Sequence, residues 1–176
     1  MSRILLVPLG TLPDGYPRKL AAFLAAATGR ACSVGAALEP DSSYNPDRGQ
    51  YDCRRILPLL DGIARSEGAT VLGVADVDLY SAIFTFVFGE AILGGRCGLF
   101  SLHRLHQRYY GLADSPDLLE ARARKEALHE TGHLLGLVHC PDPECVMRFS
   151  GSAEEVDLKT DALCPDCRKR AGGPGG

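Results

Sequence analysis

The segment from His129 to His139 reads H-E-T-G-H-L-L-G-L-V-H. His129 and His133 are four residues apart, so on a helix they project from one face about one turn apart. That spacing lets two imidazoles reach one zinc ion at about 2.0–2.1 Å. Gly136 lies three residues beyond His133 and can take the positive φ at which a chain leaves a helix sharply. The turn brings His139 round as a third ligand. Three neutral histidines leave the fourth zinc position open, the arrangement of a catalytic site rather than a structural one. Glu130 stands next to the first histidine, placed to meet water at that position as general base and proton shuttle. The chemistry this implies is hydrolysis, with zinc lowering the pKa of water and stabilising the oxyanion of the attacked carbonyl.

A second constellation starts at the next residue. Cys140 and Cys145 form C-P-D-P-E-C, and after eighteen residues Cys164 and Cys167 form C-P-D-C. Two short cysteine knuckles of this kind resemble a four-thiolate structural zinc site. Four thiolates outweigh the charge of one zinc, and Arg148, Lys159, Arg168, Lys169 and Arg170 lie close in sequence to offset the surplus. Such a site staples a C-terminal segment that has few apolar residues of its own. Two disulfides, or a redox pair at Cys164 and Cys167, are the alternatives; the redox pair lacks the βαβ context it needs. The expected cofactors are two zinc ions per chain, one catalytic and one structural. Cys32, Cys53 and Cys97 are scattered among apolar neighbours and read as buried thiols.

The elements that must carry these residues can be read along the chain. Residues 3–8 suggest a first strand, residues 16–28 a helix stopped by Gly29, and residues 30–38 a second strand. Pro40 to Gln50 is rich in turn-forming residues and reads as a loop. Residues 53–67 form an amphipathic helix stopped by Gly68, residues 70–75 a third strand, and residues 84–93 a fourth. Gly94-Gly95 then turns the chain into a fifth strand at 97–103, antiparallel to the fourth. Ser115 and Pro116 open a long helix, as N-cap and first helical residue, that runs toward Gly136. Beyond Gly136 periodicity is lost, and the last six residues read as a flexible tail. The order predicts an α/β (α+β) fold with a mixed, mostly parallel five-stranded sheet and one antiparallel edge strand. One domain fits 176 residues, divided at Gly136 into subdomains 1–136 and 137–176 with the cleft between them.

A net charge of −3 excludes a generally basic nucleic-acid binder. The 45% hydrophobic residues contain no uninterrupted stretch near the length of a membrane helix. The apolar start, Ile4 to Leu9, is short and broken by Pro8, so it reads as a strand and not a signal peptide. With an odd number of cysteines, seven, the expectation is a cytoplasmic protein without stable disulfides.

Taken together, H-E-x-x-H-x-x-G-x-x-H-C-x4-C-x-M followed by C-x-x-C resembles the archaemetzincin family of zinc metallopeptidases. The elongated histidine pattern is the metzincin signature, which ends in a methionine turn beneath the zinc. Met147 is the one internal methionine, although a gap-filling core methionine would look the same. The segments Asp76–Tyr80, Phe86–Ala91 and Arg48–Tyr51 also look like family segments, so the resemblance spans most of the chain. The spacer between Met147 and Cys164 is one residue shorter than is usual in the family, which alters a loop and no ligand.

The resemblance implies a metzincin-like fold. It implies His129, His133 and His139 as ligands of a catalytic zinc, Glu130 as the catalytic glutamate, Met147 as the Met-turn residue, and the four cysteines as ligands of a second zinc. Some other metzincins add a tyrosine ligand two residues after the turn methionine; Phe149 occupies that position here and has no hydroxyl. The edge strand of a metzincin pairs with extended substrate, which makes Phe86, Val87, Phe88, Gly89, Glu90 and Ala91 candidate substrate contacts. A plain hydrophobic strand is the alternative for them. Glu90 could hold a substrate amino group, which would suit an aminopeptidase, or be a solvated surface charge.

The expected function is peptide-bond hydrolysis, of short peptides or with aminopeptidase-like restriction. The expected partner is a peptide, with no nucleic acid and no membrane. A non-catalytic zinc-stabilised binding protein and a nucleic-acid-binding zinc module are the other function classes. His103 and His106 fall outside the ligand spacing and read as surface or packed residues.

Overall fold

The computed structural model describes residues 3–172. Its main sheet has five strands: β1 (Ile4–Leu9), β2 (Cys32–Val34), β5 (Thr70–Ala75), β7 (Gly89–Ala91) and β8 (Cys97–Ser101). Their spatial order is β2-β1-β5-β8-β7. β7 alone runs antiparallel, against β8, with Glu90 opposite Leu99. The mixed, mostly parallel sheet with an antiparallel edge is therefore the fold of this chain.

Alternation along the strands explains why the sheet is covered on both faces. Ile4, Leu6, Leu72, Val74 and Phe100 face one way, into a core shared with α1 (Tyr16–Thr28) and α3 (Pro116–Leu134). Leu5, Val7, Leu9, Val71 and Leu99 face the other way, onto α2 (Cys53–Glu67). α1 and α2 end at Gly29 and Gly68, whose φ values of 67° and 58° release the chain from the helix. Asp52 caps α2 by accepting from the Arg54 amide at 3.0 Å. Ser115 caps α3 by accepting from the Leu118 amide at 3.4 Å. Both helix spans and the span of β5 agree with the sequence reading.

Four expectations need correction. The second strand is only Cys32–Val34, followed by a single bridge from Leu38 to Leu9. The stretch 40–50 is not all loop. It contains β3 (Tyr44–Asn45) and the start of β4 (Gln50–Asp52), which join β6 (Leu79–Tyr80) in a separate three-stranded sheet. Strands of two or three residues are too short to show a period.

The expected strand at 84–93 shrinks to β7. Its alternating phenylalanines imitate a strand, but the Phe84 and Thr85 carbonyls accept from Arg48 instead of from a neighbouring strand. Gln50 also donates to the Thr85 carbonyl. Finally, the C-terminal part forms α4 (Ala153–Leu158) and α5 (Pro165–Arg170), six-residue helices too brief to declare an amphipathic face. From Gly173 onward the expected tail lies outside the described residues.

The hairpin between β7 and β8 also touches the long helix. The Gly95 amide donates to Ile92 O at 2.8 Å to close the turn. The Gly94 amide donates to His133 O, also at 2.8 Å. The hairpin tip thus satisfies a carbonyl at the C-terminal end of α3 and fixes the edge strand beside it.

Candidate active site

α3 delivers His129, Glu130 and His133 from one buried stripe. After Leu134 the chain turns through Leu135 to Gly136, which has φ 84°. The Gly136 amide donates to His133 O at 2.9 Å and the Leu137 amide to Gly132 O at 2.9 Å. This tight exit brings His139 back to the first two histidines. The ring centroids stand 4.7, 5.3 and 5.0 Å apart for the pairs 129–133, 129–139 and 133–139.

The ring nitrogens are sorted by their outer partners. His129 Nδ1 lies 2.8 Å from Val146 O, and His133 Nδ1 lies 2.8 Å from Leu137 O. Carbonyls only accept, so both Nδ1 atoms carry the proton and both Nε2 atoms keep a lone pair. Those two Nε2 atoms are 3.1 Å apart, a separation that suits two ligands on one ion and not two unrelated side chains. One ligand atom from each of the three histidines lies within 4.8 Å of the others. Burial lowers His129 well below the usual imidazole value, with Lys159 adding to the effect. Burial also lowers His133 and His139, which keeps all three neutral and able to donate a lone pair. His139 is the exposed member, on the open side of the set.

Glu130 is 4% exposed, and its Oε2 has no hydrogen-bond partner. Burial, followed by the neighbouring Glu126 carboxylate, pushes its pKa well above the usual range, while Lys159 pulls it down. A carboxyl shifted upward is a better proton acceptor near neutral pH. Gly89 on the edge strand leaves it room: a Cβ there would stand 2.6 Å from Glu130 Oε1. Met147 is fully buried, with its sulfur against Gly132, where a Cβ would collide with it.

The four cysteines form a second cluster. One sulfur from each lies within 4.8 Å of the rest, and Cys140 Sγ is 3.8 Å from Cys164 Sγ. A tetrahedral ion with about 2.3 Å zinc–sulfur bonds has an edge of about that length, whereas a disulfide needs about 2.05 Å. Every described cysteine is unpaired. The amide of Cys164 donates to Cys145 Sγ, and Arg170 donates to Cys167 Sγ at 3.2 Å, so these two sulfurs accept hydrogen bonds. Both donor sets fit zinc, nitrogen in one and thiolate in the other.

Phe86, Val87, Phe88, Gly89, Glu90 and Ala91 all line a cleft of about 610 Å³ that the three histidines and Glu130 also border. Arg104 stacks on the Phe86 ring at 4.1 Å and pairs with Asp78 at 2.6 Å. The segments around Arg48 and Asp76–Tyr80 therefore hold the upper rim in place. Glu90 is in register with Leu99, on the α2 face of the sheet beside the Cys53 thiol, and it is among the residues that line the cleft. His106 is buried, 3.2 Å from Asp76, and His103 packs on Tyr109; neither joins the site.

Sequence reasoning missed Glu126 and set Lys159 against the thiolates; the structure instead pairs the two side chains at 3.0 Å, and both line the histidine cleft. Glu126 left a signal, being an acidic residue on the buried stripe of α3, three residues before His129. Lys159 left none.

Three convergent imidazoles with an open side and a raised carboxylate define the class: a metal-dependent hydrolase. Comparison with known proteins narrows it. Residues 39–171 match the pattern of Peptidase family M54. Archaemetzincin of Thermococcus kodakarensis is 37% identical over 177 aligned residues, covering 97% of this chain and 95% of that one. Archaemetzincin of Methanocaldococcus jannaschii is 47% identical over 74% of this chain and 71% of its own. Among solved structures, archaemetzincin from Archaeoglobus fulgidus superposes with a TM-score of 0.81 at 34% identity, covering 96% of this chain and 99% of that one. A zinc-dependent peptidase from Methanocorpusculum labreanum gives 0.87 at 29% identity, with 96% and 99% covered. The chain belongs to Peptidase family M54, the archaemetzincins, and is a zinc metallopeptidase. No described helix is long and apolar enough to cross a membrane.

Proposed function

We propose that His129, His133 and His139 hold the catalytic zinc and that Glu130 is the catalytic base, acting on peptides laid along β7. The observation that carries this reading is the convergence of the two Nε2 atoms, each set by a backbone carbonyl on its Nδ1. When bound, zinc supplies a Lewis acid that activates water and polarises the scissile carbonyl. Glu130 accepts the proton at its unpartnered carboxylate and delivers it to the leaving amine. Met147 supports the helix beneath His129 and His133 by filling the space above Gly132. Glu130→Gln should retain metal and lose about 10²–10⁴-fold in turnover. Full activity in that variant would refute the assignment.

The second zinc belongs to the four cysteines in this reading, for two ions per chain, and the 137–176 subdomain depends on it. In this reading the setting is cytoplasmic and reducing, where four thiolates stay available to the metal. The substrate is a short peptide with a free amino terminus. β7 has three residues and so offers pairing to a short stretch only, and Glu90 is a carboxylate-bearing residue of that strand that lines the cleft. Hydrolysis of matched peptides with free and acetylated termini tests this. Glu90→Gln should slow the free-amine peptide and leave the acetylated one unchanged. Equal cleavage of both peptides by the native protein would remove the amino-terminal preference.

A further inference from the structure

Lys159 follows α4 directly, and its side chain is completely buried. Its ammonium has two partners: Glu126 Oε1 at 3.0 Å and Arg148 O at 3.3 Å. Arg148 follows Met147, and Glu126 precedes His129 by three residues and Glu130 by four, one turn back on the same face of α3. The pair therefore joins the methionine turn to the active-site helix. It also places an ammonium where a dication is expected, because Lys159 borders the cleft with all three histidines. A zinc ion held by the histidines would meet repulsion from that ammonium, weakened less by solvent than at an exposed site.

We propose that Glu126 is a positioning residue for the catalytic metal: it neutralises the buried ammonium of Lys159, so that Lys159 can anchor the methionine turn without repelling a dication from the histidines. This rests on the reading of the three histidines as the metal site. It carries a sign that a purely mechanical clamp lacks. Removing Glu126 leaves a bare buried cation beside the metal. Removing Lys159 leaves a carboxylate, which attracts the metal or takes up a proton. A clamp would be broken equally by either change.

The test uses Co²⁺ as probe on the full chain. Cobalt in either site gives visible d–d bands and only the thiolate site adds strong near-ultraviolet charge transfer, so the histidine site is read from visible intensity that changes while the near-ultraviolet band stays constant. Apparent Co²⁺ affinity at the histidine site is measured by chelator competition for Glu126→Gln, Lys159→Met and the double variant. Glu126→Gln should bind about 10–100-fold more weakly, the range for outer-sphere partners of metal ligands. Lys159→Met should bind as tightly as the native protein or more so, and the double variant more tightly than Glu126→Gln. The inference is overturned if Lys159→Met weakens binding by about tenfold, if Glu126→Gln has no effect, or if the double variant gains nothing over Glu126→Gln.

The thiolate band and circular dichroism report folding independently of the histidine site. Should Glu126→Gln fail to fold, Lys159→Met decides alone: binding no weaker than native supports the inference, and the tenfold loss overturns it. If the native chain shows no visible intensity of that kind at all, the metal-site reading itself fails, and that outcome is distinct from native binding with the wrong order among the variants.

Discussion

Gly89→Ala is a change of one methyl group on the edge strand, and the structure sets its consequence. A Cβ at Gly89 would lie 2.6 Å from Glu130 Oε1, 2.8 Å from Glu130 Cδ and 2.7 Å from Leu99 O, against 3.4 Å for ordinary contact. The shortfalls are 3.4 − 2.6 = 0.8 Å at the carboxylate and 3.4 − 2.7 = 0.7 Å at the carbonyl. Leu99 belongs to the β8 ladder, and moving it would break strand pairing. The Glu130 contact is relieved by displacing its carboxylate and the Leu99 contact only by a shift of β7 against β8, so both move. Gly89 is not among the positive-φ glycines, so alanine adds no backbone strain there. Overpacking of this kind costs about 1–3 kcal/mol of stability. Misplacing a catalytic group by about 1 Å costs about 10²-fold in rate, so kcat/KM should fall by about that factor. Peptide hydrolysis by the zinc-loaded variant gives the rate, metal analysis shows that zinc remains, and urea midpoints give the stability change. Gly62→Ala is the control: it sits exposed inside α2 with nothing within 4 Å of a new Cβ. It should gain about 0.5–1 kcal/mol and leave the rate alone. If zinc-loaded Gly89→Ala keeps its rate to within about threefold, the edge strand does not crowd Glu130 and the reasoning is wrong.

Gly132→Ala should destabilise the protein by about 1–3 kcal/mol despite the better helix propensity of alanine, because its Cβ would collide with the buried sulfur of Met147; a urea midpoint equal to native or higher would refute the close packing. Metal affinity at the histidine site should resist acid. Three imidazoles of ordinary pKa would lose about 50-fold in affinity between pH 7.5 and pH 6.0 through proton competition. Burial lowers all three below 6.5, so fewer protons compete and the loss should be smaller, as chelator titration at the two pH values would show. The sign for stability without metal follows from the same shifts: a lowered imidazole favours the fold above the unfolded pKa, and that support is lost as pH falls below about 6.5.

The parts of this fold that the sequence reveals are those whose signal is local and repeated. α1 and α2 each show apolar residues at helical spacing and a glycine stop, and β5 is a continuous apolar run. The errors fall where side chains from elsewhere claim the backbone. Phe84, Phe86 and Phe88 alternate like strand residues, but Arg48 and Gln50 take the carbonyls that a ladder would use. The site divides in the same way. Histidine and cysteine spacing is local, and both sets converge as that spacing implies. Glu126 and Lys159 meet across 33 positions of sequence, and no pattern around Lys159 distinguishes it from a surface lysine.

The adjacency of His139 and Cys140 joins the histidine cluster at the end of α3 directly to the cysteine cluster. His129 owes its tautomer to Val146 O, and Val146 lies in the short link between Cys145 and Met147. That link is fixed from both ends: the Val146 amide donates to Ala162 O at 2.9 Å and the Cys140 amide to Met147 O at 3.0 Å. Ala162 is two residues before Cys164. Holding the two cysteine knuckles together therefore sets the carbonyl that orients a histidine on α3, and it starts the chain at Cys140 just where His139 must end. The helix supplies the spacing of two imidazoles. The cysteine-held segment supplies the direction of one of them and the position of the third, which an isolated helix cannot do.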